Sequence, residues 1–87
     1  MEQAFSIGKK YFIRTATHYQ TGEVVDITDD GFLILTNCAW IADTGRFSDA
    51  VKSGNFKEVE PVQNFIVNKS AIIDAIEVEF ELPNIQK

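Results

Sequence analysis

The sequence predicts an all-β fold. Five strands form a strongly bent sheet or open small barrel, with one short helix inserted between strands three and four. β-Branched and aromatic residues dominate, with ten isoleucines, seven valines and seven phenylalanines, and these types favour the pleated surface of a sheet. Apolar and polar residues alternate over short segments that end at turn residues. Only two prolines occur, so most of the backbone can form ladder hydrogen bonds.

Length and charge limit the class of protein further. A chain of 87 residues is long enough for one small domain, residues 1–87, and too short for two. Eight basic and thirteen acidic residues give a net charge of −5, which argues against binding duplex nucleic acid by bulk charge. The single cysteine excludes an internal disulfide, and no apolar run approaches the ~18–20 residues of a membrane span. We therefore expect a soluble, cytoplasmic protein with no membrane partner.

The first three strands are predicted from alternation and from one turn. Residues 11–17 alternate and form the first strand, and residues 21–28 form the second. Residues 29–31 (Asp-Asp-Gly) form a hairpin turn, because Asp-Gly tolerates the positive φ that tight turns require. Residues 32–40 form the third strand. Residues 32–35 are apolar at every position, which predicts that both faces of this strand are covered.

A short helix is predicted between the third and fourth strands. Its apolar face, spaced i, i+3 and i+4, consists of Phe47, Ala50 and Val51. Asp43 or Thr44 is the expected N-cap, because either side chain can accept a bond from a free amide of the first turn. Gly54 supplies the left-handed stop. The helix and its flanks form an insertion, residues 41–61, and residues 1–9 form an N-terminal extension.

The last part of the chain is predicted to contain the fourth and fifth strands. Residues 56–59 are extended and end at Pro61, residues 62–67 form the fourth strand, and a tight turn over 68–70 leads to the fifth strand at 71–82. In the second half of the fifth strand, three glutamates face outward and four apolar residues face inward. The inward residues are Ile76, Val78, Phe80 and Leu82.

The register of the fifth strand also bears on assembly. Extended backwards, this alternation places Asp74 inside and Ile73 outside. Either a bulge or bend near Asp74 resolves the conflict, or a neighbouring subunit covers Ile73. The edge candidates, residues 65–67 and the fifth strand, are apolar and lack proline, and such edges tend to pair. We therefore expect a homo-oligomer. Its predicted interface comprises Phe65, Ile66, Val67, Ile72 and Ile73.

Two segments resemble the motifs of Sm-like proteins. Residues 22–37, GEVVDITDDGFLILTN, resemble the first Sm motif, and residues 30–35 are most similar to the bacterial Hfq branch, with one extra residue in the turn. Residues 69–72, Lys-Ser-Ala-Ile, resemble the Lys-His-Ala-Ile of that branch, with Ser70 in place of the histidine. The resemblance extends over residues 11–82 and includes small Sm-like (LSm-type) proteins of phage and marine bacterial origin.

The resemblance implies a ring-forming, non-enzymatic module that binds RNA or single-stranded nucleic acid. By analogy with the family, the RNA-binding residues are Asp30, Phe32, Asn68, Lys69 and Ser70. A ring would repeat a weak contact once per subunit and so strengthen binding. The alternative is a structural or protein-interaction homo-oligomer without nucleic acid. The distribution of charge distinguishes the nucleic-acid-binding ring from the ring without nucleic acid, because an acidic ring repels polyanions unless its cations cluster. These cations are Lys9, Lys10, Arg14 and Lys69.

The sequence contains no pattern typical of catalysis, so we expect no enzyme activity, no cofactor, no metal ion and no small-molecule substrate. Asp29 and Asp30 are interpreted as turn residues, since a metal site needs more converging ligands. Cys38 has no obvious base beside it and is expected to pack in the core. A dyad of Cys38 with His18 across strands is the alternative reading.

Three aromatic residues flank the insertion and allow two interpretations. Trp40, Phe47 and Phe56 either seat the helix against the sheet or form an exposed platform on which bases or a partner can stack. Phe12 and Tyr19 present the same choice. Packing is favoured for Phe12 and Tyr19, because an alternating strand places half of its aromatic residues in the core.

Overall fold

The computed structural model describes residues 5–87 as one antiparallel five-stranded sheet with one short α-helix. The elements are β1 (Lys10–Thr15), β2 (Tyr19–Ile27), β3 (Phe32–Asp43), α1 (Phe47–Ser53), β4 (Glu58–Asn68) and β5 (Ile72–Val78), with a 3₁₀ turn at Lys69–Ala71 between β4 and β5. The strand order is β4-β3-β2-β1-β5, so the sheet is unclosed and β4 and β5 are its edges. The predicted all-β class, the five strands and the position of the helix are confirmed.

Apolar side chains form a core on each face of the sheet. The first core comprises Tyr11, Ile13, Val24, Leu33, Leu35, Cys38 and Val67. The second core comprises Phe12, Ala39, Ile41, Ala50, Phe56, Val59 and Val78. Successive residues of a strand point to opposite faces, which is why Phe12 and its neighbours in β1 contribute to different cores. Helix α1 and the C-terminal segment 79–87 pack against the second core.

Strand β3 changes faces at Asn37. Its first half supplies Leu33 and Leu35 to the first core, and its second half supplies Ala39 and Ile41 to the second. All four positions are odd, so strict alternation would place them on one face. Asn37 has a φ of 51°, and the register places Asn37 and Cys38 together opposite Gly22 of β2. This bulge lets one strand pack against both cores.

Gly22 is required by the close approach of β2 and β3 at this bulge. A Cβ atom at position 22 would lie 3.0 Å from Sγ of Cys38 and 3.2 Å from Cβ of Leu35. Both neighbours are buried in the first core and cannot turn into solvent. The glycine of the Gly22–Asn37 motif therefore has a packing reason in this fold.

The ends of the helix follow the prediction only in part. Gly54 adopts the predicted left-handed conformation, with a φ of 73°. Its N–H donates to the carbonyl of Ala50. The predicted N-cap is wrong, because the N-cap is Arg46 and no side chain caps the first turn. Asp43 and Thr44 instead bond to Gly45, since Asp43 Oδ1 accepts from its N–H and the hydroxyl of Thr44 donates to its carbonyl.

Strand β4 is longer than predicted. It runs without interruption through Pro61, so the expectation that Pro61 ends an extended segment is wrong. Proline is tolerated here because β4 is an edge strand, where a missing N–H can face away from the ladder. Since β3 also continues to Asp43, the connection between the two strands spans residues 44–57 instead of 41–61. Residues 1–4 of the predicted N-terminal extension lie outside the described residues.

Strand β5 is shorter than predicted, but it contains a bulge near Asp74, which is one of the two arrangements that the sequence allows. Arg14 pairs with Asp74 and Thr15 pairs with Ile72, so Ile73 is the extra residue of a bulge. The strand ends at Val78. The inward residues predicted beyond it, Phe80 and Leu82, lie in the C-terminal segment and pack against the second core. Ile76 is 40% exposed, so its predicted burial is incomplete in a single copy.

The apolar run 32–35 is covered unequally on its two faces. Leu33 and Leu35 are buried in the first core, whereas Phe32 and Ile34 are only half-buried. The prediction that both faces of this strand are covered therefore holds fully for one face only. The remaining predicted strand ends differ by up to three residues, with β1 ending at Thr15 and β2 beginning at Tyr19.

Replacing Gly22 by alanine tests the close approach at the bulge. We expect Gly22→Ala to lower the free energy of unfolding by about 1–3 kcal/mol, the usual range for overpacking a core. Urea denaturation followed by circular dichroism measures the loss. The double variant Gly22→Ala/Cys38→Ala should lose less than the sum of the two single variants, because the contact at 3.0 Å with Sγ is gone. Strict additivity would contradict this account.

Candidate assembly edges and turn surface

The structure brings the five predicted RNA-binding residues together at one end of the sheet. The backbone N–H of Lys69 donates to the carbonyl of Gly31 at 2.9 Å, and Phe32 pairs with Asn68. The β2–β3 turn therefore lies beside the β4–β5 turn. We call these residues the turn surface. It consists of Asp30, Phe32, Asn68, Lys69 and Ser70.

Most polar side chains of the turn surface stabilise the turns themselves. Asn68 Oδ1 accepts from the backbone N–H of Ser70 at 3.0 Å and from its hydroxyl at 2.8 Å. The hydroxyl of Thr28 donates to Asp30 Oδ1 and accepts from the N–H of Phe32 at 3.0 Å. Lys69 is exposed and forms no ion pair with any of residues 5–87. Its ammonium is therefore the group on this surface that can meet an anion.

The other cations of the N-terminal region lie along β1 and contact β5. Lys9 Nζ lies 4.0 Å from Glu77, and Lys10 Nζ donates to the carbonyls of Glu79 and Phe80 at 3.1 and 2.6 Å. Asp74 and Glu77 line one pocket with Lys69, and Asp29 and Asp30 are exposed in the neighbouring β2–β3 turn. Lys69 therefore has acidic neighbours.

Arg14 is engaged in the same way. Its guanidinium donates through two nitrogens to both carboxylate oxygens of Asp74, with 3.1 Å between Nε and Oδ1. These bonds and the negative charge of Asp74 raise the pKa of Arg14 above its ordinary value. Together with Lys9 and Lys10, Arg14 connects the start of the chain to β5 and to the segment after it, so these cations are already engaged within the chain.

Among the predicted interface residues, one isoleucine is exposed on each edge. Of the five predicted interface residues, Ile66 on β4 is 69% exposed and Ile73 on β5 is 57% exposed. Phe65 and Ile72 are half-buried against the first core, and Val67 belongs to that core. The side chains of Ile66 and Ile73 are thus the ones that a second copy can reach most easily.

A groove lies between the end of β4 and the start of β5, where the sheet is unclosed. We call it the seam groove. It has a volume of about 580 Å³ and is lined by residues that include Gln20, Trp40, Phe65, Ile66, Ile72 and Ile73. Trp40 stacks on Phe65 with ring centroids 5.8 Å apart and on His18 at 4.8 Å. Sequence reasoning missed this stack, because the bulge at Asn37 determines which face Trp40 occupies.

The three aromatic residues around the insertion do not form one platform. Phe56 is buried in the second core and stacks on Phe12, with centroids 5.6 Å apart. Phe47 packs edge-on against the same Phe12 ring at 5.8 Å. Trp40 stacks on Phe65, which packs against the first core. Phe47 and Phe56 therefore seat the helix, and Trp40 belongs to the seam groove.

Cys38 is a packed residue in this structure. It is 1% exposed in the first core, and burial raises the pKa of its thiol from 9.0 to about 11. His18 is exposed, and its Nδ1 lies 2.6 Å from the hydroxyl of Thr17. Because His18 faces Trp40 and solvent, it is not placed to act as a base for a buried thiol. Within residues 5–87, no three His, Cys, Asp or Glu side chains converge closely enough to hold a metal ion.

Comparison with known proteins gives no further assignment. No family model, no curated protein and no solved structure matches the chain. None of the helices among residues 5–87 has the length and apolar character needed to cross a bilayer. The assignment of function therefore depends on the edges, the turn surface and the resemblance of the motifs.

The raised pKa of Cys38 predicts a stability loss in alkali. The folded state holds the thiol proton more tightly than the unfolded state does, so stability is complete below pH 9 and falls as the pH rises from 9 towards 11. We expect the wild-type chain to lose more free energy of unfolding than Cys38→Ala over this interval. Urea titrations at pH 8, 9 and 10 measure the difference. Parallel curves for the two proteins would contradict the burial of Cys38.

Proposed function

We propose that this protein is a non-enzymatic binding module that assembles into a homo-oligomeric ring of Sm-like type. The observation that carries the proposal is that the unclosed sheet has two apolar edges, with Ile66 exposed on one and Ile73 on the other. In the proposed ring, the C-terminal half of β4 (64–68) lies beside β5 of the next copy. The motifs at residues 22–37 and 69–72 support the same family.

Burial and backbone pairing both favour such an assembly. An edge strand presents unpaired N–H and C=O groups that another strand can satisfy. Full burial of an isoleucine side chain contributes about 1.5–3 kcal/mol, and each junction would bury both Ile66 and Ile73. A single copy of 87 residues has a thin core on each face, so added burial matters more here than in a large domain.

Single-stranded RNA is the ligand that we propose for the turn surface. A ring presents one Lys69 per copy on the same side, so weak phosphate contacts add up. A flexible single strand can follow these separated cations, whereas a duplex would also meet the acidic flanks. The exposure of Lys69 and its freedom from ion pairs within residues 5–87 support this site.

A ring without nucleic acid is the second candidate, and a specific observation favours it. Lys10 and Arg14 donate hydrogen bonds to β5 or to the segment after it, and Lys9 forms an exposed ion pair with Glu77 of β5. The net charge of −5 per copy is therefore not offset by a cluster of free cations. In this second candidate function, the ring organises protein partners. A direct measurement of oligonucleotide binding distinguishes the two candidates.

Charged substitutions at the edges test assembly. We expect the wild-type chain to sediment as a closed oligomer at micromolar concentration. Ile66→Glu and Ile73→Glu should each convert it to monomers, because a carboxylate at either junction would be buried without a partner. Val25→Glu is the matched control, since Val25 is 44% exposed but lies on the internal strand β2. It should leave the sedimentation coefficient unchanged.

A stable wild-type monomer at micromolar concentration would contradict the proposed ring. Circular dichroism of each variant separates dissociation from unfolding, because a folded monomer retains the β-sheet spectrum.

Charge reversal at Lys69 tests the RNA site. Lys69→Glu should abolish binding of labelled oligo-A and oligo-U in fluorescence anisotropy at low salt. Lys52 is exposed on helix α1, outside the turn surface, so Lys52→Glu carries the same charge change and should bind like the wild type. With few cations available, the salt dependence should be shallow, since each phosphate contact with a single strand adds about 0.7 to the logarithmic slope.

Two results would favour the ring without nucleic acid. One is the absence of binding to either oligonucleotide at ring concentrations of tens of micromolar. The other is an equal loss of binding in Lys69→Glu and Lys52→Glu, which would indicate bulk charge instead of a site.

A further inference from the structure

The C-terminal segment 79–87 covers part of the outer edge of β4. The backbone N–H of Val59 donates to the carbonyl of Lys87 at 3.1 Å, and the N–H of Lys87 donates to the carbonyl of Val59 at 3.0 Å. This reciprocal pair is the hydrogen-bonded unit of an antiparallel ladder. An edge position that another strand could use is therefore already occupied within the same chain.

Side chains reinforce this contact. Gln86 Nε2 donates to Glu60 at 3.2 Å, and Lys87 Nζ donates to the side-chain carbonyl of Asn55 at 3.0 Å. These bonds extend the contact to both sides of Val59. The end of the segment is thus held by backbone bonds and by polar side chains.

The other end of the segment is anchored on the second core. The ring of Phe80 packs edge-on against Phe56 with centroids 5.9 Å apart, and it lies so close to Gly54 that a Cβ there would meet it at 2.5 Å. Lys10 Nζ donates to the carbonyls of Glu79 and Phe80. The segment is therefore fixed at both ends and spans from the second core to the edge.

Pro61 makes the same half of β4 unsuitable for pairing. Both backbone groups of Val59 bond outward to Lys87, so they point away from β3. Pro61 lies two residues further along β4, and its missing N–H is therefore on that same outer side. A strand added here would lack one of its ladder bonds. The C-terminal half, residues 64–68, contains no proline and forms no hydrogen bond with the segment 79–87.

We propose that the segment 79–87 withholds the N-terminal half of β4 (58–62) from a second copy and so restricts edge pairing to residues 64–68. An edge that is open along its whole length permits several registers and open-ended growth. A short open stretch permits one register and a closed assembly. The part of the proposal that restricts edge pairing to residues 64–68 rests on the proposed ring. The part in which segment 79–87 covers residues 58–62 does not depend on the ring.

Removing residues 86 and 87 tests this role. In the deletion variant, the amide of Val59 should exchange with solvent at least tenfold faster in NMR hydrogen exchange, because its acceptor is gone. Sedimentation velocity should show species larger than those of the wild type, growing with concentration. Lys87→Ala is the matched control. It loses the bond to Asn55 but keeps both backbone bonds, and it should behave like the wild type.

Two further variants test whether the freed edge at residues 58–62 causes the enlargement. Lys87→Pro retains the length of the chain but removes the N–H that donates to Val59, so it should shift the size distribution in the same direction as the deletion. Adding Ile66→Glu to the deletion should not reverse its enlargement, since the freed residues 58–62 make the new contact. This holds even if the wild type proves monomeric, in which case the ring fails but the covering role stands. A deletion variant with the size distribution of its parent would overturn the proposal.

Discussion

The reversal of β3 at Asn37 is the constraint on which the rest of the structure depends. A single sheet of five strands has two faces to cover, and residues 5–87 form no second sheet. By adding one residue opposite Gly22, β3 turns its first half to one core and its second half to the other. Helix α1 and segment 79–87 then need to cover only one face. The close contact at Gly22 is the local condition for this arrangement.

The basic residues near the N-terminus are close together in sequence, but their side chains are already engaged in contacts within the chain. In sequence they make the start of the chain basic. In the structure, Arg14 donates to Asp74, Lys10 donates to the backbone just after β5, and Lys9 lies 4.0 Å from Glu77. Such exposed contacts contribute little to the free energy of unfolding. These contacts matter more for the binding of an anionic ligand than for stability, because they leave Lys69 as the cation of the turn surface. Asp29 and Asp30 are exposed in the same region.

Local signals in the sequence predicted the elements well. The Asp-Asp-Gly turn, the helix with its stop at Gly54 and the bulge beside Asp74 follow from residue types within a few positions. The continuation of β4 through Pro61 does not, because a proline can lie within an edge strand only where its missing N–H faces away from the ladder, and the sequence does not show which way it faces. The residues of the turn surface were predicted from the resemblance to Sm-like motifs, whereas the contact between the two turns is seen only in the structure. The exposure of Ile66 beside buried Val67 depends on long-range register. Asparagine is one of the few residue types other than glycine that readily adopt a positive φ, but nothing in the residues around Asn37 marks this position as the site of a bulge.

The position of Trp40 makes the intrinsic fluorescence of the protein sensitive to the state of the seam groove. It is the one tryptophan of the chain, it is 43% exposed, and it stacks on Phe65 at the side of the seam groove. Indole emission moves to shorter wavelength when water leaves the ring, because the excited-state dipole is no longer relaxed by solvent. The emission maximum of the unlabelled protein therefore reports directly on whether the seam groove is wet or covered.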